Sequence, residues 1–437
     1  MIQFSRALLL ALTCWLGTHA AAAQTPLQIK LSPEGDRYVQ FSGLNQVWLR
    51  HTRLNPGSQL NGRDMGSHYT DLSLRRLRFQ VLAQLTDRVF FYTQFGQNNF
   101  NFRSPKYTGA FFHDATVEYA LMPKKLSLGG GLAGWTGLAR HAAPGIGAIM
   151  SLDVPLFLQP TNGITDQFIR KLGLYAKGQV GRVDYRIIIS HPMTVSGAPD
   201  TTSLPTSRTF NYAHTLPKMQ SQAYVKYFFR DGESNLMPYQ AGSYLGQKNM
   251  LNLGAGFIYQ PDAFWALDAA GQTQLHPMLL LGFDLFYEKP LNTHTSITFY
   301  TVFTHYDMGR GHIRSLGVDN PASGMDQARV SGPGNGFPIV GTGNTLYAQA
   351  GYLFGNDLLG TGGKLQPFAA AQYSRFLALA DPMLMYELGL NYLTQGHHGS
   401  KLSLEYQGRP TYTTGYNGEN QLHSYKGMWV MQYQVSF

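Results

Sequence analysis

Charged side chains in this chain fall on one phase of a two-residue alternation, as they would if they lined a wet surface. The basic members are Arg76, Arg78, Lys171, Lys177, Arg186, Lys226 and Arg230, joined by Lys401 and Lys426. The acidic members are Asp114, Glu118, Asp184, Asp284, Glu288, Glu387 and Glu405. Nine cations against seven anions is a weak bias. Their order says more. Lys171, Lys177, Arg186, Lys226 and Arg230 sit on three consecutive strand patterns, with Asp184 the one acid among them. Together they would form a basic wall that concentrates anions. The plainer reading is charges paired across neighbouring strands to stiffen that wall. Either way the chemistry offered is electrostatic recognition, not bond-making.

Other candidate motifs fail on context. Gly129 to Gly134 fits a G-x-G-x-x-G spacing, with Asp153 some way beyond. Pro144 and the glycines around it leave no helix to receive a phosphate. Those glycines are better explained as a smooth strand beside a crowding loop. His397-His398 sits in a tight turn without a nearby carboxylate or cysteine, so a metal site is not expected. A barrel hydrolase needs a Ser/His or Asp/His group at its rim, and no His-x-Ser-Asn-Gly element occurs. Neither an enzyme, a cofactor, a metal nor a nucleic-acid partner is expected.

The elements that must position the charges are strands. Leu77, Phe79, Val81, Ala83 and Leu85 alternate with Arg78, Gln80 and Gln84. The same phase recurs in Val183, Tyr185, Ile187 and Ile189, and in Leu384, Tyr386, Leu388, Leu390 and Tyr392. Successive strand side chains point to opposite faces. The apolar phase carries almost no charge through its middle. A lipid-facing wall requires this, because Arg or Lys there costs about 2–4 kcal/mol at mid-bilayer. Sixteen strands are read near 38–51, 72–86, 88–97, 110–121, 125–134, 169–180, 183–191, 220–230, 249–260, 278–288, 295–306, 345–354, 364–375, 383–393, 400–407 and 425–437. Connections alternate long and short, as in a barrel with long loops on one side and tight turns on the other. The connection 231–248 breaks that parity, so eighteen strands stay open.

Composition agrees. Of 437 residues only 14% are charged, Tyr and Phe number 26 each, Gly 48, Cys one, and the net charge is +9. Beyond the N-terminus no run of about 18 apolar residues occurs, which excludes a helical membrane bundle. Residues 1–23 read as a secretory signal peptide, with Ala21, Ala22 and Ala23 before Gln24. Residues 24–36 read as a short periplasmic tail, and 37–437 as the barrel. The last strand alternates through Trp429, Met431, Tyr433 and Val435 to Phe437, the pattern that barrel-assembly machinery reads. Loop 135–168 is unusually apolar, so it is expected to fold inward as a constriction, with Arg140, Asp153 and Asp166 at its border.

Several stretches resemble the phosphate-selective porin O/P family of outer-membrane porins. They are Val39 to Gln46, Leu74-Arg75-Arg76-Leu77-Arg78-Phe79, Asp114 to Tyr119, Arg170 to Leu174 with Lys177-Gly178, and Val183-Asp184-Tyr185-Arg186. The resemblance is spread over most of the chain and consists of strand patterns. It implies a sixteen-stranded, trimeric, passive channel. The family's arginine ladder and lysine cluster have no residue-by-residue match here, so phosphate specificity does not carry over. The expectation is an all-β transmembrane antiparallel barrel in a Gram-negative outer membrane. It would be bathed by outer-membrane lipid and pass small hydrophilic solutes, with mild anion preference. The alternative is a closed or plugged outer-membrane barrel acting as adhesin, receptor or anchor.

Overall fold

The structure is a computed structural model and describes residues 27–196, 209–325, 330–355, 362–415 and 418–437. The expected leader 1–23 lies outside the described residues. Sixteen long strands form the wall. The first eight are β1 (Tyr38–Arg53), β2 (His68–Gln84), β3 (Val89–Asn101), β4 (Phe111–Met122), β5 (Leu126–Ala133), β6 (Lys171–Val180), β7 (Val183–His191) and β8 (Gln220–Phe228). The second eight are β9 (Met250–Leu267), β10 (Thr273–Pro290), β11 (Ser296–Asp307), β12 (Gly343–Leu353), β13 (Lys364–Phe376), β14 (Met383–Leu393), β15 (Ser400–Thr414) and β16 (Asn420–Ser436).

Each strand pairs antiparallel with its sequence neighbours, and β1 also pairs with β16, from Leu44 opposite Ser436 to Thr52 opposite Met428. The sheet is therefore a closed ring without a free edge. At the seam the Phe437 N–H bonds Gly43 O at 3.1 Å and the Gly43 N–H bonds Phe437 O at 2.8 Å. Leu27–Lys30 adds a short strand against Tyr38–Phe41, so this part of the expected tail is ordered against the barrel end. Asn211–Tyr212 adds another against Phe264–Trp265.

The two faces divide as the alternation requires. Leu174 is 72% exposed on the outside, with Leu172, Val117 and Phe283 also bare. The opposite phase buries Gln46, Arg186, Lys226, Gln372 and Gln434. An outer face of bare leucines and aromatics around a polar interior suits lipid, not water. Closed barrels satisfy every ladder hydrogen bond within the wall, which allows them to span a bilayer. This is the architecture of outer-membrane proteins.

All sixteen expected strands are present. Four extend five or more residues past an expected end: β9, β10, β15 and β16. In β9 the apolar alternation breaks at Pro261-Asp262, where the register shifts between Gln260 and Phe264. The strand continues beyond that irregularity. The connection 229–249 contributes no strand to the ring, so the eighteen-strand alternative is excluded.

Candidate functional site: the inner face and its inserted segments

A bulge decides which arginines reach the interior. In the β1–β2 ladder Gln46 pairs with Arg76 and Val47 with Leu74, so Arg75 is skipped. In β2–β3 Leu74 pairs with Phe100 and Arg76 with Asn98, so Asn99 is skipped opposite it. An inserted residue re-aims its side chain. Arg75 and Arg76 are consecutive, yet both are buried and both bond the same carboxylate, Asp153. Simple alternation sends Arg75 outward, and the sequence reading missed it.

Segment 135–168 is bonded to inward side chains from many strands. Its Gly137 N–H donates to Gln222 at 3.0 Å, and its Arg140 N–H to Asp284 at 2.5 Å. Leu152 N–H donates to Glu405 at 3.0 Å, and Met150 O accepts from Asn391 at 2.8 Å. Ile146 O and Gly147 O accept from Gln46 and Gln434. Two wall glycines permit the approach. A Cβ at Gly256 would sit 2.1 Å from Gly137 O, and one at Gly282 would sit 2.4 Å from Leu138 O. The glycines of β5 serve another purpose. A Cβ at Gly129 would meet the Tyr175 ring at 2.2 Å, so a tyrosine occupies that space, not a loop.

The connection 229–249 also lies against inward side chains. Glu233 is its hub. Arg140 bonds it bidentately at 2.7 and 2.5 Å, Lys226 at 3.0 Å, Asn252 at 2.9 Å and the Tyr244 hydroxyl at 2.5 Å. Burial alone would raise the Glu233 pKa. The Arg140 and Lys226 charges outweigh it and hold the carboxyl well below the usual range.

This arrangement corrects the expected basic wall. Lys177 pairs with Glu118 at 2.8 Å and also donates to Asn235 O and Leu236 O. Arg186 lies 3.8 Å from Asp184 and donates to Pro238 O. Lys226 is held by Glu233, and Lys171 by Asp166 at 3.2 Å. These four cations are buried under inserted backbone and neutralised by acids, two of which arrive on connections. Arg230 lies past the end of β8, exposed, donating to Asn249 and stacking over Tyr287. The three-strand pattern is real, but its members do not present a free cationic surface.

The remaining expected acids are similarly engaged. Asp114 lies 3.4 Å from the Arg170 guanidinium and accepts from the Gly134 N–H at 2.9 Å and from the Tyr239 hydroxyl. Asp284 accepts from Arg140 N–H and Tyr224, and Glu288 from the N–H groups of Tyr244 and Gly246. Asp166 caps a tight turn through the Ile169 N–H at 2.8 Å.

Open space lies elsewhere, along β1 to β3. A cavity of about 740 Å³ reaches from Asn99 and Asp319 at the long-loop end to Gln40, Gly399 and Phe437 at the short-turn end. Arg75, Arg76, Arg78, Arg170 and Arg314 line it, against the side chains of Asp153 and Asp319. Arg76, Arg78 and Asp153 were expected at the pore. Arg314 comes from a long loop and was not. Among the described residues Arg78 has no carboxylate partner; it bonds Leu77 O, Gln97 O and Asn98. Arg314 likewise donates to Pro160 O and Asn162 O, both at 2.7 Å, and forms no ion pair among the described residues.

No family model matches the chain, and neither does any curated protein. Solved structures of similar outline exist at low identity. The outer membrane channel DcaP of Acinetobacter baumannii is 12% identical, covering 93% of this chain and 99% of its own, with a TM-score of 0.47. OmpT of Vibrio cholerae is 9% identical, covering 94% and 100%, with a TM-score of 0.48. The anion-selective porin from Comamonas acidovorans is 10% identical, covering 91% and 99%, with a TM-score of 0.47. From its own ring closure, strand count and bare apolar exterior, this chain is a sixteen-stranded transmembrane β-barrel protein.

Proposed function

We propose that this chain is an outer-membrane porin of a Gram-negative envelope. It passes small hydrophilic solutes passively, with a mild preference for anions, phosphate-type anions among them. The observation that carries the reading is the cavity along β1–β3, whose lining extends towards both barrel ends with five arginines against two aspartates. A row of fixed cations inside a low-dielectric wall raises the local concentration of anions. Segment 135–168 serves as the constriction, since its backbone is tied to inward side chains around the ring. The inserted connection 229–249 narrows the lumen further. Selectivity on this reading resides in Arg78 and Arg314, which pair with no carboxylate among the described residues, and not in Lys177, Arg186 and Lys226. The resemblance of its strands to phosphate-selective porins agrees with a passive trimer. The strand that ends at Phe437 would be its assembly signal.

The test is conductance of refolded protein in a planar bilayer under a salt gradient. Stepwise openings with an anion-selective reversal potential are expected. A cation-selective reversal overturns the anion preference and leaves the porin. A folded but silent barrel overturns the porin and favours the adhesin, receptor or anchor.

A further inference from the structure

The cavity has two kinds of lining. One is cationic, led by Arg75, Arg76 and Arg78 on β2. The other is apolar: segment 135–168 and the long loop that carries Arg314 supply Ile146, Leu156, Phe168 and Leu316, each half-buried. The placement of Phe168 is enforced. Phe168 and Ile169 adopt φ of +50° and +73°, left-handed backbone that costs a β-branched residue dearly. Asp166 pins this turn through the Ile169 N–H, and Arg170 donates to Phe168 O at 2.6 Å. A strained backbone held by two charged residues keeps an aromatic ring at the edge of an arginine-lined space. Plain loop packing does not require that.

The cationic side has capacity left. Arg75 and Arg76 share one carboxylate, and Arg78 is 2% exposed with neutral partners only. Its buried Nε has no hydrogen-bond partner among the described residues. An inorganic anion would engage guanidinium and leave the apolar lining against water. A carboxylate on a planar apolar body uses both kinds of lining. The carboxylate matches the guanidinium fork. Its ring covers Phe168 and Leu316 and removes apolar area from water. The volume of about 740 Å³ falls within the roughly 300–1,000 Å³ of small-ligand sites.

We infer that this cavity is a binding subsite for organic monoanions, a carboxylate on an aromatic or apolar frame, in preference to inorganic anions. The inference rests on the channel reading above and narrows its solute class. The experiment measures block of chloride current through single channels by added benzoate, acetate, phosphate or benzyl alcohol. Benzoate should block at a concentration at least about ten-fold lower than acetate or phosphate, and benzyl alcohol should not block. The benzoate advantage should shrink in both Arg78→Gln and Leu316→Ser, with folding checked by resistance to unfolding in detergent. If either variant fails to fold, the four-solute comparison on the unmodified protein still decides. Equal block by benzoate, acetate and phosphate overturns this inference while the channel stands. Block by benzyl alcohol as strong as by benzoate overturns it as well, since charge would then play no part. A silent folded barrel overturns both readings.

Discussion

Glu233→Gln should loosen both inserted segments without opening the barrel. The carboxylate holds Arg140 bidentately at 2.7 and 2.5 Å and Lys226 at 3.0 Å, with its side chain 3% exposed. Glutamine keeps the volume and removes the charge. Two buried cations then lose their common counter-ion. Breaking a buried pair by removing one partner costs about 3–5 kcal/mol. At 1.4 kcal/mol per tenfold, local opening should rise about a hundred- to several-thousand-fold. Three hydrogen bonds report it, because they join the segments: Gly145 N–H to Gln240 O at 2.7 Å, Gln240 N–H to Ala143 O at 2.9 Å and Gly242 N–H to Ala148 O at 2.9 Å. Hydrogen exchange at these amides should speed up, while ladder amides of β9 and β10 stay protected, since the wall opens as a separate unit. Replacing both partners, Arg140→Met with Glu233→Leu, should cost less than the single change, because no buried charge of that pair is stranded. Unchanged exchange at the three amides in a folded Glu233→Gln barrel would refute the hub.

Further outcomes follow from the same contacts. Arg78→Gln should move the reversal potential towards non-selectivity, whereas the double change Lys177→Gln with Glu118→Gln should barely move it, because that pair at 2.8 Å is neutral as a whole and inserted backbone covers it. Gly282→Ala would put a Cβ 2.4 Å from Leu138 O, backbone that cannot swing aside. It should destabilise by about 1–3 kcal/mol in thermal unfolding, while Gly109→Ala, with nothing within 4 Å, should be neutral. Glu233 also sets a pH dependence. Its folded pKa lies below the ordinary carboxylate value of about 4.3, so its stabilisation is complete above that value and is lost as pH falls through the folded one. Protection of the Gly242 amide, corrected for intrinsic rates, should hold from neutral pH down to about 5 and fail only in stronger acid.

The wall was legible in the sequence because one constraint acts on every strand. Lipid forbids charge on one phase and the lumen tolerates it on the other, so residues such as Val183 to Ile189 declare both strand and face. Strand ends were less legible where the alternation breaks, as at Pro261-Asp262 in β9. The site was legible only in part. Arg76, Arg78 and Asp153 line the cavity as their phase and loop position suggest. Arg75 does not obey its phase, because a one-residue bulge reverses it, and a bulge of this kind carries no mark in a run such as Leu74-Arg75-Arg76-Leu77. Arg314 lies on a long loop where no alternation exists to assign it a face. Phe168 is placed by two left-handed residues that are not glycines, which composition does not announce.

The basic wall shows why counting charges by phase fails in a barrel with inserted segments. Lys177, Arg186 and Lys226 have the inward phase, the burial and the strand adjacency expected of a selectivity surface. What separates them from Arg78 is that an acid lies within 4 Å of each, and that carbonyls or a carboxylate reach them from 229–249, a connection whose length was the one irregularity in the loop pattern. Buried ion pairs of this type add little net stability over apolar packing. Their use here is positional. A polar lumen offers an inserted segment no hydrophobic groove to lock into, and a bidentate Arg140–Glu233 pair with Lys226 beside it admits one register only. On the porin reading a lumenal cation in such a barrel is either an anchor for a segment or a group left over for solutes. Arg78, buried with neutral partners alone, is the leftover kind, and it lines the open cavity while Lys177, Arg186 and Lys226 do not.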